Sequence, residues 1–122
     1  TVIKFDKDDS LSLGVVNGGE LKTEIRLLKD GPEIVIHSKG KININAEGDM
    51  ELTSKGTMKL SASKKLVMKG DGGVEINGSE IKAKADSNLE LKGINAVVEG
   101  SATLEAKGGA MAKIQAALVK IN

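Results

Sequence analysis

The sequence contains no cysteine, tryptophan or tyrosine, and its 122 residues include one phenylalanine (Phe5), one histidine (His37) and one proline (Pro32). Without cysteine there is no disulfide framework, no thiolate metal site and no cysteine nucleophile. Aromatic rings bury the largest areas in a core, and a chain of this length already buries a low fraction of its surface. The interior is therefore thin, or is completed by other chains. A formal net charge of +1 with interspersed signs gives no electrostatic footprint for nucleic acid or an anionic membrane. No apolar run approaches the ~20 residues of a membrane span, and no secretory signal is visible. The sequence begins at Thr1 without a methionine, which reads as a piece of a longer protein or a processed form.

What the chain does contain is a repeat. Apolar residues two apart recur at Ile34/Ile36, Ile42/Ile44, Met50/Leu52, Met58/Leu60, Leu66/Met68 and Val74/Ile76. They continue at Ile81/Ala83, Leu89/Leu91, Ala96/Val98, Leu104/Ala106, Ala112/Ile114 and Val119/Ile121. Of the eleven steps between these twelve pairs, eight are eight residues long and three are seven. Two residues beyond each of the first eleven pairs stands Ser, Ala or Gly, from Ser38 and Ala46 through to Gly108 and Ala116. The position inside each pair is mostly polar, with Val35, Val67 and Val97 as exceptions.

Apolar residues at i and i+2 around a polar one describe one buried side of a β-strand, because strand side chains alternate. The i, i+3, i+4 spacing of an amphipathic helix is absent. Each unit reads as a short strand with an inward pair, then a small inward residue, then a bend. Gly40, Gly48, Gly56 and Gly72 recur at the bends, where positive φ costs glycine little. Gly70–Gly73 is expected to form a wider loop.

The expected fold class is all-β, with residues 33–122 a β-helical needle and residues 1–32 a β-strand adaptor. In the adaptor, 2–5, 11–16 and 21–28 read as strands, and Asn17-Gly18-Gly19 and Asp30-Gly31-Pro32 as turns. Two closures fit the repeat. One chain can coil as a solenoid, or three chains can wind about one axis as an intertwined triple-stranded prism. The prism leaves no lateral strand edge open, and the eight-residue step and thin aliphatic interior favour it. At about 4.8 Å per unit, twelve units would make a rod of roughly 55–60 Å.

Stretches such as Gly40-Lys-Ile-Asn-Ile-Asn-Ala-Glu-Gly-Asp-Met-Glu-Leu-Thr, Ser87-Asn-Leu-Glu-Leu-Lys-Gly and Glu33-Ile-Val-Ile-His-Ser resemble the C-terminal needle of contractile phage tail-spike (baseplate hub) proteins. They also resemble the valine-glycine repeat spikes of type VI secretion. The resemblance covers about 90 residues well and the first 32 loosely. It implies a homotrimeric β-helix following an upstream hub domain of the same chain, driven through a target cell envelope by sheath contraction. It implies a location in a virion tail or an extracellular injection apparatus. Some members carry a tip protein with PAAR repeats on a blunt C-terminal end. Others end in their own point, with His-x-His motifs that bind iron. This chain ends Val119-Lys-Ile-Asn122 with no such cluster, so the resemblance implies the blunt end and a separate tip.

Residue chemistry supplies no enzyme and no cofactor or metal site. His37 falls in the outward phase, as a surface histidine would. Asp6, Asp8 and Asp9 read as a polar turn, since two-carboxylate catalysis needs a cleft and separated pKa values. Asp71, in Gly70-Asp-Gly-Gly, lacks the repetition of calcium-binding repeats. Asn77-Gly78-Ser79 is a formal glycosylation sequon that reads more simply as a turn. No phosphate-cradling glycine loop occurs. Met50, Met58 and Met68 are adaptable filler. The last layer of a β-helix exposes unpaired backbone groups, which makes Ala116, Ala117, Leu118, Val119, Lys120, Ile121 and Asn122 the candidate tip-binding residues.

The expected function is a non-enzymatic piercing spike that transmits force and carries a tip. The alternatives are a solenoid scaffold that polymerises into filaments, and a polysaccharide-binding β-helix. The phase is testable in solution. Leu60→Asp is expected to abolish trimer assembly by burying three unpaired carboxylates, and Lys59→Asp to leave the trimer intact, as read by sedimentation.

Overall fold

The computed structural model describes residues 1–7 and 9–122. Among them the chain is all-β, without a helix. Four strands, β1 (Val2–Phe5), β2 (Leu11–Asn17), β3 (Glu20–Leu28) and β4 (Glu33–Ser38), form one antiparallel sheet in the order β1-β2-β3-β4. By contact the chain divides into two units, Thr1–Lys64 and Lys65–Asn122.

Local chemistry explains the sheet. Gly18 and Gly19 have φ of 61° and 75°, and Asn17 faces Glu20 across them. Two successive positive φ values define the type I′ hairpin turn, whose twist matches that of the strands it joins. Between β1 and β2, Asp6 N–H donates to the Ser10 carbonyl at 2.9 Å and Asp9 N–H to the Asp6 carbonyl at 3.0 Å. Asp9 takes φ 63° there, a left-handed conformation that aspartate tolerates better than most residues. The expected polar turn is present at Asp6 and Asp9, while Asp8 lies outside the described residues.

The register sorts side chains to two faces. Ile3 faces Leu13, Phe5 faces Leu11, Leu13 faces Ile25, Leu11 faces Leu27, Ile25 faces Ile36 and Leu27 faces Ile34. Alternation puts all of these on one face. The register shifts between Val15 and Val16, a bulge that leaves Lys22 without a partner on β2, while its carbonyl accepts from Lys39 N–H at 2.9 Å. On the opposite face Leu21 then lies over Gly14, where an added Cβ would sit 2.6 Å from Leu21 Cδ1. β4 carries the first pair of the repeat, so that unit is shared with the sheet.

From residue 39 onward the backbone bends at regular intervals. In the first unit the bends are Lys39–Gly40, Glu47–Gly48, Lys55–Gly56 and Ser63–Lys64. In the second they are Asp71–Gly72, Ser79, Asp86–Ser87, Ile94–Asn95, Ser101–Ala102, Gly109–Ala110 and Ala117. Every one begins five residues after the first member of an apolar pair, including after the seven-residue steps 74–81 and 89–96. The small residue therefore stands immediately before each bend. Where it is serine it can staple the turn. The Ser38 and Ser54 hydroxyls accept from the N–H of Gly40 and Gly56, each at 3.1 Å, the side-chain turn typical of serine.

The glycine readings are corrected in two respects. Gly40, Gly48, Gly56 and Gly72 do not have positive φ; the glycines that do are Gly18, Gly19, Gly31 and Gly73. Nor is Gly70–Gly73 a wider loop. It is a tight turn closed by Gly73 N–H donating to the Gly70 carbonyl at 3.1 Å. The steric need falls two positions earlier in the unit than the bend glycines. A Cβ on Gly100 or Gly108 would collide with the carbonyl oxygen of Thr103 or Met111, three residues on, whereas a Cβ on Gly48 would meet nothing within 4 Å. Gly48→Ala is therefore expected to raise stability by about 0.4–1 kcal/mol by restricting the unfolded chain. Gly108→Ala should lower it by about 1–3 kcal/mol through overpacking. Thermal unfolding followed by circular dichroism reads both signs.

Candidate functional site

The described residues contain no buried apolar side chain at all; the buried residues are Ser10, 2% exposed, and Gly14. The Ser10 hydroxyl accepts from Lys29 N–H at 3.4 Å. On the sheet's apolar face Phe5 is 77% exposed and Leu27 42%. In the repeat every member of every pair is exposed, Leu52 at 72% among them. The chain exposes 12860 Å², against about 6,200 Å² for a compact monomer of its mass. The candidate sites are therefore surfaces, the apolar face of the sheet and, within each unit, the side of the repeat that carries the apolar pairs. Met50, Met58 and Met68 stand on the latter, at pair positions.

The backbone is equally unpartnered. Among the described residues, the stretch 40–122 makes one backbone–backbone hydrogen bond, the Gly73–Gly70 contact, and no ladder. Exposed strand groups pair readily with another chain. The opposite side carries the charges. Glu80–Lys82, Glu90–Lys92 and Glu105–Lys107 form ion pairs two residues apart, at 3.3, 3.4 and 3.2 Å. Residues two apart share a side in strand-like backbone, so these pairs mark a charged side opposite the apolar one.

The C-terminal residues Ala116, Ala117, Leu118, Val119, Lys120, Ile121 and Asn122 are all exposed, with Ile121 at 87%. The chain bends at Ala117, and none of the seven makes a backbone–backbone hydrogen bond to a described residue. His37 is exposed on β4, opposite Glu24, on the face away from Ile36. Asp6 pairs with Lys4 at 3.0 Å, Asp9 with Lys29 at 3.0 Å and Asp71 with Lys69 at 3.2 Å. These acidic residues thus meet cations singly and are not brought together. Among the described residues no group of three or more His, Asp or Glu is placed to hold a metal ion. At Asn77-Gly78-Ser79 the chain bends at Ser79.

One feature escaped the sequence reading. The sheet's polar face holds an open recess of about 270 Å³ lined by Lys4, Asp6, Ser12, Glu24 and Arg26 with Val2, Gly14, Val16 and Leu21. The alternate polar positions of β1–β3 were its only signal, and grouping them required the register. Its charges are of both signs and none is buried, so it presents no built ligand site.

No protein-family model matches the chain, and neither does any curated protein or solved structure.

Because His37 is exposed and makes no ion pair with a described residue, His37→Ala is expected to change stability by less than about 0.5 kcal/mol, measured by denaturant unfolding with and without added zinc.

Proposed function

We propose that this chain is one strand of an intertwined trimeric β-helix that serves as the rigid, membrane-piercing needle of a contractile injection apparatus or phage baseplate. The observation that carries the reading is a run of twelve exposed apolar pairs, phased by eleven evenly recurring bends, in a backbone that has almost no partner of its own. Ordering a backbone costs about 1–2 kcal/mol per residue. Nothing within residues 40–122 offsets that cost, so the offset comes from outside the chain. A solenoid would supply it through ladders between its own turns, and the described residues contain none beyond the antiparallel sheet. Other copies supply it with the same octad geometry, covering the apolar pairs and pairing the backbone at once.

The excess of exposed surface over a compact monomer is about 6,600 Å², the scale of an obligate interface rather than a transient one. A closed prism of parallel ladders around an aliphatic plug is stiff along its axis, and stiffness is what force transmission requires. The piercing role, the virion or extracellular location, the upstream hub domain and the PAAR-type tip protein come from the resemblance carried by the octads. The tip would sit on Ala116–Asn122, where the last pair and its backbone are open. The reading assigns no reaction.

Sedimentation equilibrium is expected to give three times the 12.7 kDa chain mass, and amide exchange across 40–122 to be slowed at least 10³-fold. A monomer with unprotected amides overturns the reading, and concentration-dependent filaments replace it with the scaffold alternative. Deleting residues 116–122 is expected to keep the trimeric mass and abolish co-purification of a PAAR-type tip.

A further inference from the structure

We propose that the charges at the centre of the outward side form an interchain ladder that dictates which octad of one copy lies against which octad of the next. The inference rests on the trimeric reading above and deepens it by naming the partner of each charge.

With three copies about a three-fold axis, each bend carries a chain from one face of the prism to the next. Each level then holds the same octad from all three copies. On any one face, the strand stacked on an octad is the following octad of a neighbouring copy, parallel to it and in the same phase. The residue between the paired apolar positions therefore lies one strand spacing, about 4.8 Å, from its counterpart one octad later. The constant five-residue offset from pair to bend, kept through the step from Val74 to Ile81, preserves that phase.

Along this central row, charged residues become neighbours five times. Four of the five are opposite in sign: Glu51 beside Lys59, Glu75 beside Lys82, Lys82 beside Glu90, and Glu105 beside Lys113. The fifth, Lys113 beside Lys120, lies at the end of the chain. Among the described residues, Glu51, Lys59, Glu75 and Lys113 are exposed and form no intrachain ion pair, so the ladder gives each of them a partner. Lys82, Glu90 and Glu105 already pair with Glu80, Lys92 and Lys107 and would gain a second one. Cross-strand opposite charges stabilise a sheet modestly and like charges oppose it. A one-octad slip would leave two opposite-sign contacts, Lys59 beside Glu75 and Glu105 beside Lys120, against two like-sign ones, Glu75 beside Glu90 and Glu90 beside Glu105, so the native order, with four opposite-sign contacts to one like-sign, is favoured.

The chain has no cysteine, so introduced pairs report without background. The double variant Glu51→Cys/Lys59→Cys, oxidised and run without reductant, is expected to give a covalent trimer, because each copy links to the next until the ring closes. Asn43→Cys/Lys59→Cys, two levels apart at about 9.6 Å, is beyond the Cα reach of a disulfide and should stay uncross-linked. Lys59→Glu is expected to lower the melting temperature by about 5 °C. The exchange Glu51→Lys/Lys59→Glu should restore it, with both effects shrinking in 1 M salt. A trimeric mass with cross-linking through 43/59 and not 51/59 overturns the ladder and leaves the trimer standing. So does a charge exchange that behaves like the sum of its single changes. A monomeric mass with no intermolecular cross-link overturns both.

Discussion

Everything in this protein depends on where the backbone N–H and C=O groups of residues 40–122 find partners. A strand cannot satisfy them internally as a helix does, and the chain's own sheet stops at β4. The apolar pairs meet the same difficulty from the side-chain direction. They lie two apart, on one side of the chain, with no second layer to cover them. One arrangement of further copies resolves both, because the strand that pairs the backbone also brings its own pair to the axis. The proposed needle follows from that double requirement.

The bends convert a strand repeat into something that can wind. A small residue stands before each, and its identity tracks the local geometry. Serine closes the turn through its hydroxyl at Ser38 and Ser54. Glycine is required where the chain folds back on itself, as at Gly100 and Gly108. The glycines inside the bends, such as Gly48, are sterically free. Composition alone suggested the opposite allocation, because glycine is expected where φ turns positive and less readily where a carbonyl three residues on occupies the space of a Cβ.

The antiparallel sheet and the repeat share a unit, and this links the two parts of the chain chemically. Ile34 and Ile36 belong to the apolar face of the sheet through their partners Leu27 and Ile25, and they also begin the octad series. The apolar face of the sheet therefore has the same phase as the first apolar pair of the repeat. The outer side is charged in both parts, through Glu24 and Arg26 in the sheet and the Glu–Lys pairs two apart in the repeat. Individual exposed ion pairs contribute little to stability. Their value in the proposed assembly is selective, because a slipped alignment has fewer opposite-sign contacts and more like-sign ones.

The sequence by itself determined the all-β class, the two hairpin and loop turns at Gly18–Gly19 and Gly31, three strands to within a residue or so, and the spacing of the twelve apolar pairs. Each of these is a local matter of alternation or of left-handed backbone, which a string of residues displays directly. The tertiary structure decided that Glu33–Ser38 joins the sheet, that Lys22 is bulged and sends Leu21 over Gly14, and that Gly70–Gly73 is a tight turn. It also gathered Lys4, Ser12, Glu24 and Arg26 around one recess. Those features rest on pairing between residues distant in the chain, or on carbonyl positions a few ångströms from a missing Cβ, and neither distance is written in the order of the residues.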